Sequence, residues 1–255
     1  MKKLYIGTSG YSYGHWISRF YPKNLPQKSW LSYYCQFFNS VELNVTFYRL
    51  PKEEAFLLWY KETPVSFIFS VKGSRFITHV KKLKNVEEPV KLFMERASLL
   101  KEKLGVILWQ FPKNFKLNLE RLEGFLKILK KYKTRFVFEF RNESWFVKEV
   151  YNLLEKYNRA LVIADSPQLC SSIFAGQAIW PHVGGITADF LYIRFHGPRK
   201  LYGSKYSKKE LEDWAFKIKN WQKQAKDVYA YFNNDFQAFA VKNARQLKSL
   251  LSIEK

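Results

Sequence analysis

The strongest constraint in this chain is a repeated switch of period. Short runs rich in β-branched and aromatic residues alternate with longer amphipathic stretches along the whole sequence. A period of two suits a sheet and a period of 3.6 suits a helix, so regular alternation predicts βα units around a parallel sheet. The runs predict strands over Leu4–Gly10, Ser40–Asn44, Val65–Lys72, Gly105–Pro112, Arg135–Asn142, Ala160–Asp165, Asp189–Gly197 and Asp227–Asp235. Between them, Val90, Phe93, Met94, Ala97 and Leu100 recur at helical spacing, as do Leu119, Leu122, Phe125, Leu126 and Leu129. Leu211, Trp214, Ile218 and Trp221 form another stripe behind Ser207-Lys208-Lys209-Glu210, which has capping-box spacing. Eight units in 255 residues leave about 32 residues each, the size of a βα repeat. The fold class is therefore α/β, with residues 1–255 forming a single TIM-type (β/α)8 barrel domain. A doubly wound open sheet is the alternative; its usual GxGxxG first turn is not supplied by Gly7-Thr8-Ser9-Gly10.

A barrel of this kind builds its site at the C-terminal ends of the strands, so polar residues should collect at one end of each apolar run. They do so in every strand. The ends carry Ser9; Glu42 and Asn44; Lys72; Gln110; Glu139 and Arg141; Asp165; Arg194 and His196; and Asn233 and Asp235. Residues two apart share a strand face, which pairs Glu139 with Arg141, Arg194 with His196, Glu42 with Asn44, and Asn233 with Asp235. Charge on an apolar strand is costly unless paired or solvated, so these residues read as one polar pocket.

The same stretches resemble the YecE-like family (domain of unknown function 72). The resemblance is carried by Gly7-Thr8-Ser9-Gly10-Tyr11-Ser12-Tyr13, Glu42-Leu43-Asn44-Val45-Thr46-Phe47-Tyr48, Phe138-Glu139-Phe140-Arg141 with Ser144-Trp145, Tyr192-Ile193-Arg194-Phe195-His196-Gly197, and Tyr231-Phe232-Asn233-Asn234-Asp235. It implies a TIM-type barrel and brings no established reaction.

The residues suggest several chemistries. Glu139 reads as a general acid/base with Arg141 as an anion clamp, against a structural ion pair on the fifth strand. His196, beside Arg194 and ahead of Gly197-Pro198-Arg199-Lys200, sits where such barrels usually bind phosphate; a structural histidine capping the loop is the other reading. Glu42, Glu139, Asp165 and Asp235 raise paired-carboxylate glycoside hydrolysis as an alternative. Lys72 suits Schiff-base chemistry in a low-dielectric site, although phosphate binding or neutralisation of Glu42 or Glu139 is favoured. The catalytic candidates are thus Glu139, His196, Glu42 and Asp165. The ligand-binding candidates are Arg141, Arg194, Lys72, Asn44, Gln110, Asn233, Asp235 and Ser9. No cofactor is evident: His15, His79, His182 and His196 form neither HxH nor HExxH, which leaves oxygen-ligated Mg²⁺ open. Cys35 and Cys170 offer no CxxC spacing and no evident histidine partner.

Composition narrows the partners. With 47% hydrophobic and 18% aromatic residues the chain can build a large core, which excludes global disorder. Its apolar runs are shorter than a membrane span, and its start turns glycine-rich before a signal-peptide core forms, so the expectation is a cytoplasmic protein without a membrane partner. The formal net charge is +21, of which the predicted βα connections hold +14, interleaved with aromatics. An anionic ligand is expected, as either a small molecule or a nucleic acid bound by phosphate contacts and base stacking. An enzyme acting on a phosphate-bearing substrate and a non-catalytic nucleic-acid-binding barrel are the two readings.

Overall fold

A computed structural model describes residues 2–167, 186–225 and 227–252. Its eight parallel strands are β1 (Leu4–Thr8), β2 (Ser40–Leu43), β3 (Ile68–Lys72), β4 (Leu104–Gln110), β5 (Arg135–Glu139), β6 (Ala160–Asp165), β7 (Phe190–Phe195) and β8 (Asp227–Phe232). All eight predicted strands are present, several of them a few residues shorter than the apolar runs that announced them. The hydrogen-bonded order is β1-β8-β7-β6-β5-β4-β3-β2. The two ends of that order meet at one parallel bridge, Ser9 to Glu42, where Gly10 N also donates to Glu42 O at 2.7 Å. The sheet is therefore a nearly closed α/β barrel of the TIM type.

Side chains close the seam that the ladder leaves open. The Tyr34 hydroxyl accepts from Thr8 N at 2.9 Å and lies 3.1 Å from the Ser40 carbonyl, to which it donates. Asn39 Nδ2 donates to Leu4 O at 2.8 Å. Gly7 makes this approach feasible, because a Cβ there would sit 2.1 Å from the Ser40 carbonyl oxygen.

The helices follow the predicted stripes. Helix Leu119–Leu129 buries Leu122, Phe125, Leu126 and Leu129, and Asn118 caps it by accepting from Arg121 N at 2.8 Å. Helix Lys208–Trp221 starts on a complete capping box between Ser207 and Glu210. Two apolar layers result. One lies between the strands and the helices. The other fills the lower barrel interior with Tyr5, Val106, Leu108, Val137, Ala160, Val162, Phe190, Tyr192, Tyr229 and Tyr231. Strand alternation then fixes what stands above this second layer. Glu42, Lys72, Gln110, Glu139 and Arg194 share the inward parity, and Asp165 has the outward one.

Candidate active site

Arg194 organises the barrel mouth. It is fully buried on β7, and its Nε and Nη2 donate to Glu42 Oε2 and Oε1 at 2.9 and 2.7 Å. Its third arm, Nη1, donates to Glu139 Oε2 at 2.5 Å. One guanidinium therefore ties β2 to β5 across the barrel. The remaining acceptor capacity is also engaged: the Tyr192 hydroxyl donates to Glu42 Oε2 at 2.8 Å. Gln110 Nε2 and Arg141 Nε donate to Glu139 Oε1 at 2.8 and 3.1 Å. Burial alone would raise the Glu139 carboxyl, but Arg194 and Arg141 outweigh it and hold the group well below the usual carboxylate range. At neutral pH Glu139 is an ion-pair member, with little capacity to take a proton.

A cleft of about 570 Å³ opens above this floor, lined among others by Tyr13, Phe47, Lys72, Arg75, Arg141 and Tyr202. Lys72 ends β3 and is 8% exposed, with its Nζ 4.1 Å from the centre of the Phe47 ring. Neither it nor Arg75 forms an ion pair among the described residues. The expected neutralisation of Glu42 or Glu139 by Lys72 is thus taken over by Arg194. Burial lowers the Lys72 ammonium to about 7, and Arg194 adds to the shift against the opposing pull of Glu139 and Glu42. Gly73 helps to place Lys72, since a Cβ on it would lie 2.2 Å from the Trp109 ring. His79, also on the cleft wall, is pushed down to about 4 by burial and by Lys72, Arg141 and Arg75.

His196 stands beside the pair. Asn233 Nδ2 lies 3.2 Å from its Nδ1 and donates to it, and burial followed by Arg194 holds the imidazole neutral. Its proton then sits on Nε2, a buried atom with no hydrogen-bond partner among the described residues. Ser9 Oγ and Asn44 Oδ1 are likewise buried and unpartnered there. Asp235, on the cleft edge, contacts His15 at 3.3 Å.

Three expectations need correction. Asp165 does not join the site: it has the outward parity of β6, its carboxyl is bonded by Tyr206 and Trp214, and burial raises it. The loop after β7 does not offer a free phosphate cradle. Arg199 N and Lys200 N both donate to Ser204 Oγ, and the Arg199 guanidinium reaches Glu210 and the Lys205 carbonyl. The aromatics of the βα connections are mainly core, because Trp16, Tyr21, Phe111, Phe115, Trp145 and Tyr206 are buried. Only Tyr13, Phe47, Tyr48 and Tyr202 from that set line the cleft among the described residues. Cys170, Phe174, Trp180 and His182 lie outside the described residues. Among those described, no three His, Cys, Asp or Glu side chains gather to hold a metal ion. Among the described residues, no helix is long and apolar enough to cross a membrane.

Sequence reasoning gave no role to Arg75 or His79. The signal for both was the 72–87 connection, which carries +4 with Lys72 included.

Fold and site together define an α/β TIM-type barrel with a charged, buried mouth. The family model for DUF72, a protein family of unknown function, matches residues 5–255, and the chain belongs to that family. It is 30% identical over 279 residues to the UPF0759 protein YunF of Bacillus subtilis, covering 98% of this chain and 95% of that one. A DUF72 family protein from Thermotoga maritima superposes with a TM-score of 0.84 at 32% identity, over 98% of this chain and 99% of that one. A D-psicose 3-epimerase shares the fold alone, with a TM-score of 0.58 at 8% identity over 98% of this chain and 97% of that one.

Proposed function

We propose that this barrel binds a small phosphate-bearing molecule, of the size of a nucleotide or a sugar phosphate, in the cleft at its C-terminal mouth. The observation that carries the reading is an imbalance of partners. Both floor glutamates are engaged by Arg194 and Arg141, while Lys72 and Arg75 line the cleft without an ion pair among the described residues. An anion that supplies acceptors to Arg75, Arg141 and Lys72 completes the set. The cleft volume of about 570 Å³ suits one small ligand. The neutral His196, whose Nε2 is unpartnered among the described residues, lines a separate small pocket with Glu139, Arg141 and Tyr202 and is not on the cleft lining.

Calorimetric titration with a sugar phosphate and its unphosphorylated counterpart tests this reading. The phosphorylated form should bind at least about tenfold more tightly, and Arg75→Ala should remove most of that preference. Equal binding of the two forms would refute it. A nucleic-acid polymer in place of a small ligand would show itself by a steep log–log dependence of affinity on salt. The burial of most rim aromatics speaks against that outcome, since few rings remain for base stacking.

A further inference from the structure

We propose that Lys72 is a carbonyl-capturing amine, which condenses with the aldehyde or ketone of a phosphorylated substrate to form an imine. Its phosphate end rests on the anion-binding reading above; the amine chemistry does not.

The placement of Lys72 carries the inference. It ends a barrel strand, is nearly buried, and yet lines a cleft large enough for a small substrate. A buried lysine usually secures itself with carboxylates or carbonyls. Lys103 illustrates this, donating to the Tyr60 and Thr63 carbonyls at 2.6 Å each. Lys72 instead has the Phe47 ring at its Nζ and no ion pair among the described residues. The charged and titratable groups around it are Arg194, Arg141, Glu139 and Glu42, together with His79 and His196, whose own protonation it disfavours. The two glutamates are already tied to arginine, so the net surroundings oppose an ammonium. Desolvation and neighbouring cations are the two devices that turn a lysine into a nucleophile near neutral pH.

The step balances without a redox partner. The lone pair of the neutral amine attacks the carbonyl carbon, and a C–N bond forms as the C=O π pair moves to oxygen. The two amine hydrogens then leave with that oxygen as water, giving the C=N bond. Arg75 and Arg141 hold the phosphate while Lys72 takes the carbonyl.

Pyridoxal 5′-phosphate and pyridoxal serve as probes, with borohydride supplying hydride to fix the imine as a secondary amine and peptide mapping to locate it. Near neutral pH, Lys72 in the native protein should be labelled at least about tenfold faster than the other lysines, and than Lys72 in urea-unfolded chain. The rate should rise through a midpoint near 7. Lys72→Arg should lose this fast label, because a guanidinium keeps its proton and cannot condense with a carbonyl. Labelling ordered by surface exposure, or equal for native and unfolded Lys72, overturns the proposal whether or not the variant folds. Phosphate binding without fast Lys72 labelling refutes the imine alone. Fast labelling by both probes, with no competition from inorganic phosphate, upholds the imine and refutes the anion reading.

Discussion

The floor and the wall of the cleft treat a buried cation in opposite ways. On the floor, Arg194 is fully buried and all three of its donor arms meet carboxylate oxygens of Glu42 and Glu139. On the wall, Lys72 is almost as deeply placed and has an aromatic ring for its nearest partner. A planar, permanently charged guanidinium matches two carboxylates at once and cannot escape by losing its proton. An ammonium in the same surroundings can, and burial lowers it to about 7. The floor is consequently a structural brace across the barrel, and the wall is where the proposed binding and chemistry lie.

The sharpest way to break the contrast is to remove the brace. Arg194→Met leaves Glu42 and Glu139 buried without their shared partner, and should destabilise the protein by about 3–5 kcal/mol in urea unfolding. Lys72→Met should behave differently. In the wild type, the unfolded chain binds the Lys72 proton up to its ordinary value of 10.5, whereas the folded protein releases it at about 7. Stability from this group therefore rises with pH across that window, and the variant should flatten the rise, by on the order of a few kcal/mol at its upper end. His79 gives the acid-side counterpart. Its stabilising contribution is complete above the ordinary 6.5 and is lost as pH falls towards about 4, so His79→Gln should soften the loss of stability in that range.

Outside the cleft the effects are smaller. Asp165→Asn turns an amide NH₂ towards one of the two donors, Tyr206 and Trp214, and should cost about 1–3 kcal/mol in unfolding while leaving phosphate binding unchanged. Arg75→Ala, at an exposed position, should shift stability by less than about 0.5 kcal/mol and act on binding alone.

The fold was legible because its signal is periodic. Every strand carries its own short run of β-branched and aromatic residues, and the polar residue at each run's end marks the barrel mouth. Parity was legible too: counting by twos from Arg194 to His196, or from Glu139 to Arg141, places them together. The same count assigns Asp165 to the outer face, since Val162 and Ala164 hold the inward positions of β6. Strand-end position alone hid this. Partner choice was not legible, because nothing in sequence spacing says that Arg194 rather than Lys72 reaches both glutamates. That pairing is made across the barrel, between β2, β5 and β7. The basic loop after β7 misled for a related reason: Ser204 folds back on the Arg199 and Lys200 amides, a closure set by local turn geometry. The seam between β1 and β2 depends on Tyr34, a helical residue whose hydroxyl replaces a missing ladder bond.

The most direct measurement is an NMR titration of the Lys72 side chain, with the ¹³Cε and ¹⁵Nζ signals assigned by comparison with Lys72→Arg, recorded with and without saturating phosphate. A midpoint near 7 that moves upward when phosphate binds is the predicted result, because a bound anion favours the ammonium. A midpoint near the ordinary 10.5 that phosphate leaves unmoved would contradict both the unpartnered wall and the anion site built on it.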